Sequence, residues 1–187
     1  NAGTTAYKQS RANFEDIFYE HFKLPGLQDN QGNLTPTGIS LGLGARVQST
    51  EGDFSQGSIL PTDGTYDMAI VGDGFFQVND GTQTLYTRAG NFSLNADGNI
   101  VMASADTGYL LEPNISIPQD AINVSISGDG VVSYQQQGSP QIQIAGNIQI
   151  ARFINNQGLL RQGDNLYTET TASGNAQVGN PGTEGRG

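Results

Sequence analysis

Between Asp67 and Tyr109 the hydrophobic runs of this chain are cut by Gly72-Asp73-Gly74, Asn79-Asp80-Gly81 and Asp97-Gly98-Asn99. Asp-Gly and Asn-Asp-Gly close tight turns, because glycine accepts positive φ and the Asx side chain bonds nearby backbone. The runs between them are strand-length. Met68 and Ile70 alternate with Ala69 and Val71, Phe76 and Val78 follow, and Ile100-Val101-Met102 comes after a turn. Further on, Ile115, Ile117, Val124 and Ile126 lead to Gly128-Asp129-Gly130. Ile142, Ile144, Ile148 and Ile150 then keep period two with Gly146 in phase, which places them on one face. Short strands at this spacing predict a mainly β chain, an antiparallel sandwich or barrel over Ala45–Tyr167.

The 187 residues bound one domain or two small ones, with no cysteine for disulfides or thiolate metal sites. The net charge of −10 and pI near 4.2 argue against nucleic acid or an anionic membrane surface as partner. Charged residues are 14% against roughly 25% in average soluble chains, and Asn, Gln, Ser, Thr and Gly fill the gap. Such a surface suits an exported chain packing against copies of itself. No run reaches the ~18 apolar residues of a membrane span, and no signal peptide is visible. With Asn1 at its start and a Gly-rich end, the chain reads as a processed or excised fragment.

Two segments stand apart from the β pattern. In Asn1–Leu24, Phe14, Ile17, Phe18 and Phe22 recur at helical spacing, with Asn13 as a candidate N-cap. A helix of barely two turns is marginal alone, and an extended arm is the other reading. Pro25–Gly44 is a loop-like insert carrying Leu27, Leu34, Ile39, Leu41 and Leu43, the last three alternating as a short strand would. It either docks on a neighbour or folds back as a long hairpin. Ala172–Gly187, polar and Gly-rich, reads as an exit segment with little to bury.

The search for chemistry returns structural residues. His21 is the only histidine, and no G-x-S-x-G elbow accompanies it. Gly42-x-Gly44 and Gly72-x-Gly74 do not complete a nucleotide loop, since Val47 and Gln77 hold the third position. Asp80, Asp97 and Asp129 directly precede glycine, where each is expected to serve its own turn; no EF-hand loop closes around them. Catalytic residues, metal ligands and cofactors are therefore all expected to be none.

Several segments, in order, resemble the flagellar axial proteins, the rod and hook family. Tyr7, Lys8, Arg11, Phe14 and Asp16 fill the family's pattern where its N-terminal rod helix gives way to the outer domain. Phe54-Ser55-Gln56-Gly57 is similar to its S-Q-G element. GDGFFQV, the Asp80-Gly81-Thr82 turn and YTRAGNF follow, and then Gly163–Thr170 with Ser173-Gly174. Leu24-Pro25-Gly26 and Thr37–Gly44 resemble the extra stretch of the distal rod member, with Leu-Pro-Gly-Leu-Gln where relatives often carry Gln-Pro-Gly-Ala-Gln.

The resemblance implies a structural subunit rather than an enzyme: an outer domain of the rod and hook type, lacking its terminal helices, with an N-terminal arm (1–24), an insert (25–44), a β core (45–171) and an exit segment (172–187). It implies a helical tube of self-assembled copies in the periplasmic basal body. The partners it implies are proximal rod and hook subunits, P-ring and L-ring proteins and the flagellar export apparatus, without nucleic acid or membrane insertion. The subunit interface is expected at Leu24, Pro25, Leu27, Leu34, Pro36, Ile39, Leu41, Leu43, Phe14 and Phe18. A proximal rod or hook subunit, and a secreted all-β glycan or adhesion module, are the alternatives.

Overall fold

The computed structural model describes residues 10–16, 19–23, 39–42 and 45–52 by their backbone, and 54–102 and 108–183 with their side chains. The chain divides into two compact units, Gln9–Asp53 and Phe54–Gly187, the latter with Asn1–Lys8.

The described residues of the smaller unit form β1 (Ser10–Asp16), β2 (Tyr19–Lys23), β3 (Ile39–Gly42) and β4 (Ala45–Gly52). β1 pairs antiparallel with β4, from Ser10 opposite Gly52 to Asp16 opposite Ala45. β2 pairs with β3, Tyr19 opposite Gly42 and Lys23 opposite Ile39. Of the two readings of the N-terminal segment, Ser10–Asp16 and Tyr19–Lys23 take the extended one. A helix this short has little propensity to spare, whereas ladder bonds satisfy the backbone outright. β4, which the sequence places at the head of the β core, pairs here with β1.

The larger unit is a mainly antiparallel sandwich. Its strands are β5 (Phe75–Asn79), β6 (Thr84–Thr87), β7 (Phe92–Leu94), β8 (Ile100–Met102), β9 (Tyr109–Glu112), β10 (Ala121–Ile126), β11 (Val131–Gln136), β12 (Ile142–Asn147), β13 (Ile150–Arg152), β14 (Leu160–Gly163), β15 (Leu166–Thr168) and β16 (Gln177–Gly179). One sheet runs β14-β15-β6-β5-β9-β8-β7, with β13 pairing β5 and β16; the other runs β10-β11-β12. Val132 from the second sheet joins Phe76, Val78, Leu85, Ile100, Leu111, Ile150 and Leu166 from the first in one buried cluster.

Period two explains why the large sheet is buried on both faces around β5. Phe76 and Val78 point into the main core, while Phe75 points the other way into a cluster with Tyr86, Ala151, Phe153 and Tyr167. Neighbouring strands split alike: Leu85 and Tyr86, Ile150 and Ala151, Leu166 and Tyr167 face opposite cores.

Three expectations differ from the backbone. Met68–Val71 forms no strand, although Ile70 is buried and Val71 exposed; the Met68 N–H is spent on the Gly90 carbonyl (2.9 Å). The segment read as an exit loop contains β16, whose Val178 lies opposite Ala151, and a fully buried Ser173. Finally, the isoleucines of 142–150 do not share a face. Ser133 pairs with Ile144 but Val132 with Gly146, so Ala145 is an extra residue in β12. That bulge reverses the phase, leaving Ile142 and Ile144 outside while Ile148 and Ile150 are buried.

Candidate assembly surface

The motifs behind the resemblance converge on Arg88. Its Nη1 donates to the Gly74 carbonyl (3.2 Å), and its Nη2 to the carbonyls of Ile70 (3.2 Å) and Gly72 (2.7 Å) and to Gln56 Oε1 (2.9 Å). Gln56 Oε1 also accepts from the Gly72 N–H (3.4 Å). The guanidinium carbon lies 6.0 Å from the Phe75 ring centroid. Burial lowers the Arg88 pKa, and nearby Asp73 opposes that shift. S-Q-G, G-D-G and T-R-A-G are thus one clamp, in which the planar fork of arginine collects the carbonyls of three residues outside the named strands. Gly74 sits in it at φ 138°, where a Cβ would overlap the Ile150 side chain.

Phe54, two residues before Gln56, completes the aromatic cluster beneath. Its ring meets Phe75 at 5.7 Å and Tyr167 at 5.4 Å; Phe75 meets Phe153 at 5.8 Å and Tyr86 meets Phe153 at 4.8 Å, both near-perpendicular. Burial, with the charges of Glu169 and Glu112, pushes Tyr86 up to about 12.

The aspartate turns are structural, but not uniformly so. Asp80 Oδ1 accepts from the Thr82 hydroxyl (2.6 Å) and from the N–H groups of Thr82 (2.8 Å) and Gln83 (2.9 Å), and these bonds lower its pKa to about 2. At Asp97-Gly98 the turn is held by Asn95 instead, whose Oδ1 accepts from Asp97 N–H (3.0 Å) and Asn99 N–H (2.9 Å). At Asp129 the carboxylate takes the Ser127 hydroxyl, and this bond is the main cause lowering the Asp129 pKa. Among the described residues, no group of three or more His, Cys, Asp or Glu is placed to hold a metal ion, and no helix is long and apolar enough to cross a membrane.

Of the interface residues expected from sequence, Phe18, Leu24, Pro25, Leu27, Leu34, Pro36 and Leu43 lie outside the described residues. Phe14 falls in β1 opposite Val47, just after a register shift, and Ile39 and Leu41 fall in β3 opposite Lys23 and Glu20. β2, which precedes the insert, therefore pairs with β3 inside it.

An apolar surface appears on the three-stranded sheet. Ile122, Gln135 and Ile142 form one cross-strand row; Ser125, Ser133 and Ile144 form the next. Ile142 and Ile144 are 71% and 70% exposed, and Ile122 43%. The polar groups between them are already paired. Asn123 Nδ2 donates to Gln135 Oε1 (2.9 Å), Gln135 Nε2 to the Pro140 carbonyl (3.2 Å), and the Ser125 and Ser133 hydroxyls lie 3.0 Å apart. The signal available in sequence was charge: β10, β11 and β12, six residues each, contain no Asp, Glu, Lys or Arg.

A β sandwich with structural turns and an exposed apolar sheet face describes a subunit that binds by surface. Residues 69–134, from the approach to β5 through most of β11, match the flagellar hook protein FlgE/F/G D1 domain, which defines the class. The flagellar basal-body rod protein FlgG of Caulobacter vibrioides is 42% identical over 189 residues, covering all of this chain and 71% of the relative. That of Bacillus subtilis is 36% identical over 192 residues with the same coverage, whereas the flagellar hook protein FlgE of Helicobacter mustelae matches 60% of this chain and 24% of its own length at 40% identity. The chain belongs to the flagellar basal-body rod protein FlgG family.

Proposed function

We propose that this chain is a structural subunit of the bacterial flagellar distal rod, stacking with copies of itself into a rigid helical tube in the periplasmic basal body. The match to rod proteins over all of this chain, at 42% and 36% identity, carries this reading. The role is mechanical and not enzymatic. The shaft transmits torque to the hook and turns within the P and L rings. Its neighbours are proximal rod and hook subunits, and it reaches the periplasm through the flagellar export apparatus.

Leu24–Gly44 is the stiffening element in this proposal. Pro25 and Pro36 restrict its unbound conformations, so docking costs less ordering entropy. Each aliphatic side chain buried on a neighbour contributes roughly 1.5–3 kcal/mol before ordering costs. In an open helical assembly that gain recurs at every subunit.

Electron microscopy of tubes formed by the protein with its terminal helices present tests this. Straight, stiff tubes are expected, becoming curved or pliable when Leu34, Ile39, Leu41 and Leu43 are replaced by Ser. Curved tubes from the unaltered protein would reassign it to the hook. Unfolding of the 187-residue chain by the same four changes would make those residues core rather than interface.

A further inference from the structure

We infer that the outer face of the three-stranded sheet, built on Ile122, Ile142 and Ile144, docks on a second copy of this chain. The inference rests on the rod reading and names one contact by which copies meet.

Three observations select the occupant. First, the face is apolar at its edges and exposed, whereas the opposite face of the same sheet buries Val132 and Tyr134. Second, its polar groups are satisfied within the sheet, through Asn123 to Gln135, Gln135 to Pro140 and Ser125 with Ser133. Each already has a partner within the sheet, so covering it costs less than covering an unpaired group. Third, the strands carry no charge in a chain whose net charge is −10. A basic partner gains nothing on this face and would settle on the acidic remainder. A partner that is itself acidic meets least repulsion here, and another copy of this chain is such a partner.

A standard stable interface buries ~800 Å² per partner, more than three isoleucine side chains supply. One such contact does not hold a dimer in dilute solution, and becomes effective where each subunit makes several contacts at once. Growth of an open tube further requires that the face meet a different surface of the next copy, since a face that pairs with itself closes a dimer.

The test uses the full-length protein in the bacterium that encodes it, in a strain lacking the chromosomal copy. One gene carries the photoreactive Ile142→p-benzoylphenylalanine, and purified basal bodies are irradiated. The expected product is a covalent adduct of two copies, mapped by mass spectrometry. An adduct only with another protein, or none, overturns the inference. A second gene carries Ile142→Asp with Ile144→Asp. The 187-residue chain with these changes should melt as the unaltered chain does, because both positions are exposed. Complete rods per cell should fall by roughly tenfold or more, the effect of losing about 1.4 kcal/mol at a repeated contact. Normal rods from this variant overturn the inference alone. Failure of the unaltered gene to restore rods overturns the rod reading itself.

Discussion

Arg88 and Asp80 illustrate two ways in which one side chain organises a loop. Arg88 serves the carbonyls of Ile70, Gly72 and Gly74 and the Gln56 amide oxygen together. Arg88→Ala should lower unfolding free energy by about 2–3 kcal/mol in urea titration, the cost of leaving charge-assisted bonds unmade. Arg88→Lys should recover less than half, because a point charge lacks the fork; full recovery would mean that charge rather than geometry matters. Asp80 is a pH probe. Its pKa falls from 3.8 to about 2 on folding, so its stabilisation is fully present above 3.8 and is lost as pH falls through about 2. In Asp80→Asn, the decline of melting temperature between about pH 4 and about pH 2 should be shallower. An identical decline would exclude the turn from acid unfolding. Tyr86 works at the opposite end: raised to about 12, it withdraws stability as pH rises from about 10 through about 12, visible as a late tyrosine in ultraviolet titration that Tyr86→Phe removes. The glycines and aspartates of these turns were legible in sequence; that Asn95 rather than Asp97 holds its turn was not, because both are good Asx residues and only the backbone path decides.

At the scale of elements, legibility followed whether local pattern and tertiary pairing agree. β5 and β8 appear where the pattern put them, around Phe76 and Val78 and at Ile100–Met102, whereas β7 (Phe92–Leu94) has no pattern of its own. β12 departs because a bulge at Ala145 is a property of two paired strands and leaves little mark on one. β16 was missed because Gln-Val-Gly has almost no pattern of its own; it exists because β13 offers Ile150, Ala151 and Arg152 as a template. Deleting Gln177–Gly179 should therefore expose the outer edge of β13 and accelerate hydrogen exchange at its amides, beyond any effect on β14. Unchanged exchange at β13 would make β16 ornamental. Phe54 belongs to the same class of hidden element. One aromatic in an irregular segment becomes an anchor only when Phe75 and Tyr167 are seen beside it.

Across the whole molecule, the class of fold is readable from the order and spacing of turns and strands, and the family from the motifs that resemble it, whereas seven of the ten expected interface residues lie outside the described residues. The smaller unit has one further property. Its first and last strands run antiparallel with Ser10 opposite Gly52, so its two connections to the rest of the chain stand one strand spacing apart, about 5 Å. Joining Ser10 to Gly52 through a two-residue Asn-Gly turn, in place of residues 11–51, should leave the Phe54–Gly187 sandwich melting within a few degrees of the intact chain; collapse of the transition would show that the sandwich depends on it. A piece of chain that begins and ends at the same place is a cassette. It can be gained, lost or lengthened in a single genetic event without re-registering any strand of its host, and a lineage of such proteins could change the stiffness of what it builds while leaving its scaffold untouched.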